Sequence, residues 1–210
     1  MYIQRSIDQQ LLEWKQSSVH KPLLLRGARQ VGKSSAIRHL GETFRHYIEV
    51  NFEKRPELKE LFEKTSDVHQ LAARLGMLYN VPIEAGKTLV FLDEIQACPE
   101  AIKSLWFFKE DFPELHVVAA GSLLEFALKE LTSYGVGRIR SLFMYPLSFD
   151  EFLQAQGKAS WIEEKRKADH NHPLFEALHQ ELVQQYRTFL MVGGMPASVV
   201  AWLETQDYSQ

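Results

Sequence analysis

Apolar positions change their period several times along the chain. Ile7, Leu11, Leu12 and Trp14 recur at helical spacing and predict an amphipathic helix before the first strand. Leu23-Leu24-Leu25 is a continuous apolar run, and Pro22 to Arg26 reads as a buried strand. Ser35 to Leu40 then reads as a helix ended by Gly41. Tyr47 to Phe52 is a second strand, and residues 56–79 hold two helical stretches marked by Leu58, Leu61 and Phe62, then Val68, Leu71, Leu75 and Leu78. Thr88 to Leu92 is apolar and closes on Asp93-Glu94. Pro99 suits a first helical position, because its missing N–H would be unpaired there anyway, and the helix runs to about Asp111. Leu115 to Ala120 is another buried strand, Ser122 to Leu131 a helix, and Arg138 to Tyr145 a last strand. Apolar strands alternating with helices imply a parallel sheet covered on both faces.

From about Ser148 the strand pattern stops. Ser148 and Glu151 have capping-box spacing and open a helix through Phe149, Phe152 and Leu153. Helical spacing continues through Leu182, Tyr186 and Leu190, while the polar residues 156–172 read as a flexible connection. The expected division is a core over residues 1–147 and a helical lid over residues 148–210. Gly193-Gly194-Met195-Pro196 breaks the helical part, either as a structural turn or as a hinge touching a bound ligand.

Composition narrows the class. A length of 210 residues, 45% of them hydrophobic, suffices for one α/β core and a small appended subdomain. A net charge of −3 gives no excess of basic charge of the kind a dedicated nucleic-acid surface carries. Cys98 is the only cysteine, so no intrachain disulfide can form, and a reducing compartment fits. The start is not a signal peptide, and no apolar run reaches membrane-spanning length. A soluble, cytoplasmic protein without membrane contact is expected.

The chemistry concentrates where strands end. Gly27-Ala28-Arg29-Gln30-Val31-Gly32-Lys33-Ser34 fits G-x-x-x-x-G-K-[ST], between a strand and a helix. Backbone N–H groups of such a loop cradle phosphates, and the helix that follows, here from Ser35, presents its positive end to the same anion. Lys33 would reach the β and γ phosphates, and the Ser34 hydroxyl would bind Mg²⁺. Arg29 occupies a variable loop position and reads as outward-facing. Asp93 and Glu94 end an all-apolar strand at the sheet edge where ligands sit. Asp93 would hold Mg²⁺ through its water shell, and Glu94 would orient and deprotonate an attacking water. Ser122 is either a γ-phosphate sensor or the cap of its helix with Glu125; both can hold. Arg138 and Arg140 are either transition-state cations, supplied in cis or in trans, or surface residues. The eight histidines show no metal spacing, so no metal beyond Mg²⁺ is implied. No Asn-Lys-x-Asp segment is present to read guanine, which favours ATP.

Taken together, Gly27 to Ser34, Leu92-Asp93-Glu94-Ile95-Gln96, Ala120-Gly121-Ser122, Gly137-Arg138-Ile139, Pro146-Leu147-Ser148-Phe149-Asp150-Glu151-Phe152 and Gly193-Gly194-Met195-Pro196 occur in the order seen in prokaryotic AAA-superfamily P-loop ATPases with an AAA-14 domain, often followed by a DUF4143 domain. The resemblance covers nearly all of the chain and extends to archaeal-type and STAND-like ATPases. It implies the phosphate-loop roles for Lys33 and Ser34, the metal and water roles for Asp93 and Glu94, and the sensor role for Ser122. Ser34 stands where the family usually has threonine, which keeps the Mg²⁺ role. Such relatives continue past the Gly-Gly-x-Pro segment, so a missing C-terminal part is expected beyond Gln210. The expected fold is an α/β P-loop NTPase with a five-stranded parallel sheet in the order 5-1-4-3-2 and a C-terminal helical subdomain. The expected activity is MgATP hydrolysis coupled to conformational change, with a nucleotide-dependent switch of little turnover as the rival. Expected partners are ATP and ADP, a second copy of the chain, and a protein or nucleic acid bound through the missing part.

Overall fold

A computed structural model describes residues 2–18, 21–122 and 137–207. The chain divides into two compact units, Ile7–Met144 and a second made of Met1–Ser6 with Tyr145–Gln210.

In the first unit the elements run in this order: α1 Ser6–Gln16, β1 Leu23–Arg26, α2 Lys33–Gly41, β2 His46–Asn51, α3 Lys59–Glu63, α4 Val68–Tyr79, β3 Thr88–Asp93, α5 Pro99–Asp111, β4 His116–Ala120 and β5 Arg140–Phe143. All described strand pairs are parallel, and the sheet order is β2-β3-β4-β1-β5. This is the expected 5-1-4-3-2 sheet read from its other edge. The central strands β3 and β4 are buried at every residue, while the edge strands β2 and β5 are only partly so. That is why the central strands read as unbroken apolar runs. Leu24, Ile48, Val50, Val90, Leu92, Val117 and Ala119 pack on one face with Leu71 and Leu75 of α4 and Ile102, Leu105 and Phe108 of α5. Leu23, Leu25, Phe91 and Val118 alternate with them and are equally buried. On α1, Trp14 donates its indole N–H to the Lys21 carbonyl and meets the His116 ring edge-on at 5.3 Å. The helix expected over Ser122 to Leu131 falls, beyond Ser122, outside the described residues.

The second unit is helical: α6 Phe149–Ala155, α7 Ala159–Lys167, α8 Glu176–Val192 and α9 Pro196–Thr205. The flexible connection expected over residues 156–172 is corrected by α7. Ile162 is the one buried side chain of that helix and packs with Leu153, Leu178 and Leu182. The helix's only other apolar contact there is the adjacent, partly buried Trp161, so there is no period to read, and the charged remainder is helix-favouring in itself. Asp150 holds α7 through Lys165 at 2.8 Å and Arg166 at 3.1 Å. The Gly193–Pro196 break also has a packing reason. A Cβ at Gly194 would lie 2.5 Å from the Leu147 carbonyl oxygen, and the Leu147 N–H donates to the Gly194 carbonyl at 2.6 Å.

The capping box at α6 is present and does more than cap. Glu151 accepts from the Ser148 N–H at 2.8 Å, the Ser6 N–H at 2.7 Å and the Ser6 hydroxyl at 2.9 Å, and it pairs with Arg5 at 3.2 Å. Arg5 is buried and also donates to the Tyr145 carbonyl. The N-terminal residues Arg5 and Ser6 are therefore tied to the start of α6 at one carboxylate. Burial pushes the Glu151 carboxyl up, but the Ser6 and Ser148 N–H groups and Arg5 outweigh it and leave the group below its ordinary value of 4.5. A depressed carboxylate contributes stability that is complete above the unfolded value and is lost as pH falls through the folded one. The helical unit should therefore weaken below about pH 4.5. Glu151→Gln should flatten that acid limb and cost about 3 kcal/mol at neutral pH, since it strands Arg5. Urea unfolding of both proteins at about pH 7 and pH 3 checks this; equal midpoints at neutral pH would refute the account.

Candidate nucleotide-binding site

The site is built where β1 and β3 end. β1 delivers the chain to Gly27, whose φ is +145°. A Cβ there would lie 2.1 Å from the Met144 carbonyl oxygen, just past β5, and the Met144 N–H in turn donates to the Arg26 carbonyl at 2.8 Å. Backbone shape and space both require glycine. Gln30 at φ 63° and Gly32 at φ 101° curve the loop further before α2 begins at Lys33. Successive turns of this kind make a concavity of backbone N–H groups suited to an anion. Val31 is fully buried and pins the loop, whereas Ala28, Arg29, Gln30 and Ser35 are exposed.

Lys33 is only 8% exposed, and its ammonium donates to the Gly27 carbonyl at 2.9 Å and the Ala28 carbonyl at 2.7 Å. Burial lowers its pKa, Glu94 and Asp93 oppose the fall, and Arg29 adds to it. The cation thus lies inside the loop, facing two acids that follow it by about sixty residues.

Asp93 is the hub. Its Oδ2 accepts from the Ser34 hydroxyl at 3.0 Å and from Asn51 Nδ2 at 3.0 Å, and its Oδ1 accepts from the Glu94 N–H at 3.1 Å. Burial raises its pKa, the Ser34 bond opposes this, and the Glu94 charge adds to it. A hydroxyl and a carboxylate joined at the phosphate loop are the hard oxygen donors Mg²⁺ takes, so these residues fit that ion. Glu94 follows in the left-handed region at φ 49° and ψ 45°, a shape that costs a non-glycine residue about 1 kcal/mol or more. Ile95 is wholly buried and anchors the 3-10 turn Ile95–Ala97 that follows. Gln96 Nε2 donates to Glu94 Oε2 at 2.7 Å.

Sequence reasoning missed two members of this cluster. Asn51 ends β2 directly opposite Asp93 in the register, and its Oδ1 accepts from the Glu53 and Lys54 N–H groups, so the side chain is fixed at both ends. Two neighbouring strands both ending in a polar residue were the available signal. Gln96 entered only as the last residue of the Leu92 to Gln96 segment that carries the family resemblance, with no role of its own.

Ser122 lies two residues beyond the end of β4, the strand between β3 and β1. Its hydroxyl is buried with no hydrogen-bond partner among the described residues, and its proposed capping partner Glu125 lies outside them. The structure does not bring Arg138 and Arg140 to the loop. Arg140 lies opposite Leu23, the first residue of β1, four positions before Gly27 and so about 13 Å along the strand. Arg138 pairs with Glu110 at 3.2 Å and lies over the Trp106 ring at 4.7 Å. A parallel strand starts at the edge opposite its ligands, so the start of β5 cannot reach the phosphate loop of its own chain.

Among the described residues no helix is long and apolar enough to cross a membrane. No curated protein sequence matches the chain. Among solved structures the chain is similar in fold to the Walker-type ATPase PABY2304 of Pyrococcus abyssi, with a TM-score of 0.58 and 21% identity over 99% of this chain and 69% of that one. PCH-2 of C. elegans gives a TM-score of 0.48 and 11% identity over 98% of this chain and 62% of that one. The model of the AAA domain family AAA_14 matches residues 19–153, which hold the phosphate loop, the Asp93-Glu94 strand end and the whole sheet. The chain belongs to the AAA_14 family and is an AAA-type, nucleotide-binding ATPase domain.

Proposed function

We propose that the chain binds MgATP in the loop from Gly27 to Ser34 and hydrolyses it to ADP and phosphate, with a coupled change of conformation in the helical part. The observation that carries this reading is the Asp93 carboxylate, bonded to Ser34 in the first turn after the loop and to the N–H of Glu94. One hydrogen-bonded cluster thereby joins the anion-binding loop to the two acids. Lys33 would exchange the Gly27 and Ala28 carbonyls for the β and γ phosphates. Ser34 and Asp93 would hold Mg²⁺, which when bound neutralises charge on the phosphate oxygens. Glu94 would hold a water in line with the γ-phosphorus and take its proton. The water oxygen then bonds to phosphorus as the bond to the β–γ bridging oxygen breaks, and ADP leaves with that electron pair. Ser122, with a buried hydroxyl at the end of the intervening strand, would contact the γ-phosphate. Arg138 and Arg140 enter this reading only as residues supplied by a second copy of the chain.

Lys33→Ala should weaken MgATP binding by about 2–3 kcal/mol, the worth of a charge-assisted contact to phosphate; an unchanged dissociation constant by calorimetry would sink the loop assignment. Glu94→Gln should keep binding and slow hydrolysis by about 10²–10⁴, because an amide cannot take the proton. Phosphate release as fast as in the wild type would remove Glu94 as the base. For the arginines, Glu94→Gln protein is mixed with an Arg138→Ala/Arg140→Ala double variant. Sharing across copies predicts hydrolysis faster than the sum of the two alone, and a merely additive rate at concentrations where scattering shows association would leave the pair structural.

A further inference from the structure

We propose that Gln96 is a positioning residue for the hydrolytic base, holding one oxygen of Glu94 so that the other faces the attacking water. The inference rests on the reading of Glu94 as that base.

Glu94 leaves β3 in a left-handed backbone conformation, so the regular strand no longer fixes where its side chain points. The one hydrogen bond to its carboxylate among the described residues comes from Gln96, whose Nε2 donates to Oε2 at 2.7 Å. Gln96 is itself held. The buried Ile95 locks the turn between them, the Ala97 N–H donates to the Glu94 carbonyl at 3.0 Å, and the Cys98 N–H donates to the Ile95 carbonyl at 2.9 Å. The amide therefore approaches Glu94 from a fixed platform three residues wide.

A second observation gives the amide its direction. Gln96 Oε1 is buried with no hydrogen-bond partner among the described residues. Buried acceptors without a partner are uncommon, and each asks for a reason. Here the opposite amide orientation would set Oε1 against the Glu94 carboxylate, oxygen to oxygen. The charge-assisted bond to Glu94 therefore decides which way the amide points, and the unmet acceptor follows from it.

Positioning of this kind acts on the rate and not on nucleotide affinity, because misplacing a reacting group by about 1 Å can cost about 10²-fold. The test uses Gln96→Ala, Gln96→Met (similar shape, no donor) and Gln96→Glu (similar shape, like charge), with MgATP affinity by calorimetry and kcat by phosphate release. Expected are an unchanged dissociation constant for MgATP in the alanine and methionine variants, a fall in kcat of about tenfold, and a larger fall in Gln96→Glu, where two carboxylates would meet. The same substitutions on a Glu94→Gln background should change the residual single-turnover rate by less than twofold, since the group being positioned is gone. A kcat unchanged or raised in both Gln96→Ala and Gln96→Met overturns the proposal. So does an equal loss on the Glu94→Gln background, which would mark Gln96 as acting elsewhere. If Glu94→Gln alone hydrolyses at the wild-type rate, it is the assignment of the base that has failed, and the Gln96 inference falls with it.

Discussion

The carboxylate of Asp93 is the point on which the site depends. It lies at the end of a strand buried at every residue, so it is largely removed from water and its charge is costly. Three donors hold it: Ser34 from α2, Asn51 from β2, and the N–H of Glu94 from its own chain direction. Each donor comes from a different segment, and each segment is brought there by the parallel sheet. The order β2-β3-β4-β1-β5 places Asn51 beside Asp93 and leaves one strand, β4, between Asp93 and the phosphate loop. Loop and acid thus both lie at the carboxyl ends of the strands, which is where ligands bind in open α/β sheets.

The same cluster explains the strained features around it. Glu94 takes a left-handed backbone and Gln96 keeps a buried acceptor without a partner, and both deviations lie within three residues of Asp93. Gly27 fits only because it lacks a Cβ against Met144. Buried charge, left-handed backbone and an unmet acceptor are each destabilising, and a site that must bind charge is where such features gather. The helical unit shows the opposite economy. Its buried acid, Glu151, is surrounded by donors that outweigh its burial and leave it readily ionised, which suits a carboxylate that ties the N-terminal segment to the start of α6.

Much of this was legible in the residues. The central strands could be read because burial on both faces leaves apolar runs with no competing period, and the loop and the Asp93-Glu94 strand end could be read because each carries a spacing set by its chemistry. What escaped was information held between strands. Asn51 looked like an ordinary strand end until the register put it opposite Asp93. For Arg138 and Arg140 the residues left cis, trans and surface roles open, and it is the direction of β5 that carries its first residues to the edge opposite the phosphate loop of the same chain. The α7 helix was hidden because its apolar anchors, Trp161 and Ile162, are adjacent in sequence and show no helical period. In each case the missing quantity was a tertiary pairing, which a local pattern does not contain.

The most direct measurement is a crystal structure of the chain with Mg²⁺ and a non-hydrolysable ATP analogue. The account predicts the metal bound to the Ser34 hydroxyl at about 2.1 Å with Asp93 alongside, and Lys33 turned from the Gly27 and Ala28 carbonyls to the β and γ phosphates. A nucleotide seated away from residues 27–34, or a metal that leaves the Ser34–Asp93 bond intact and touches neither side chain, would contradict it.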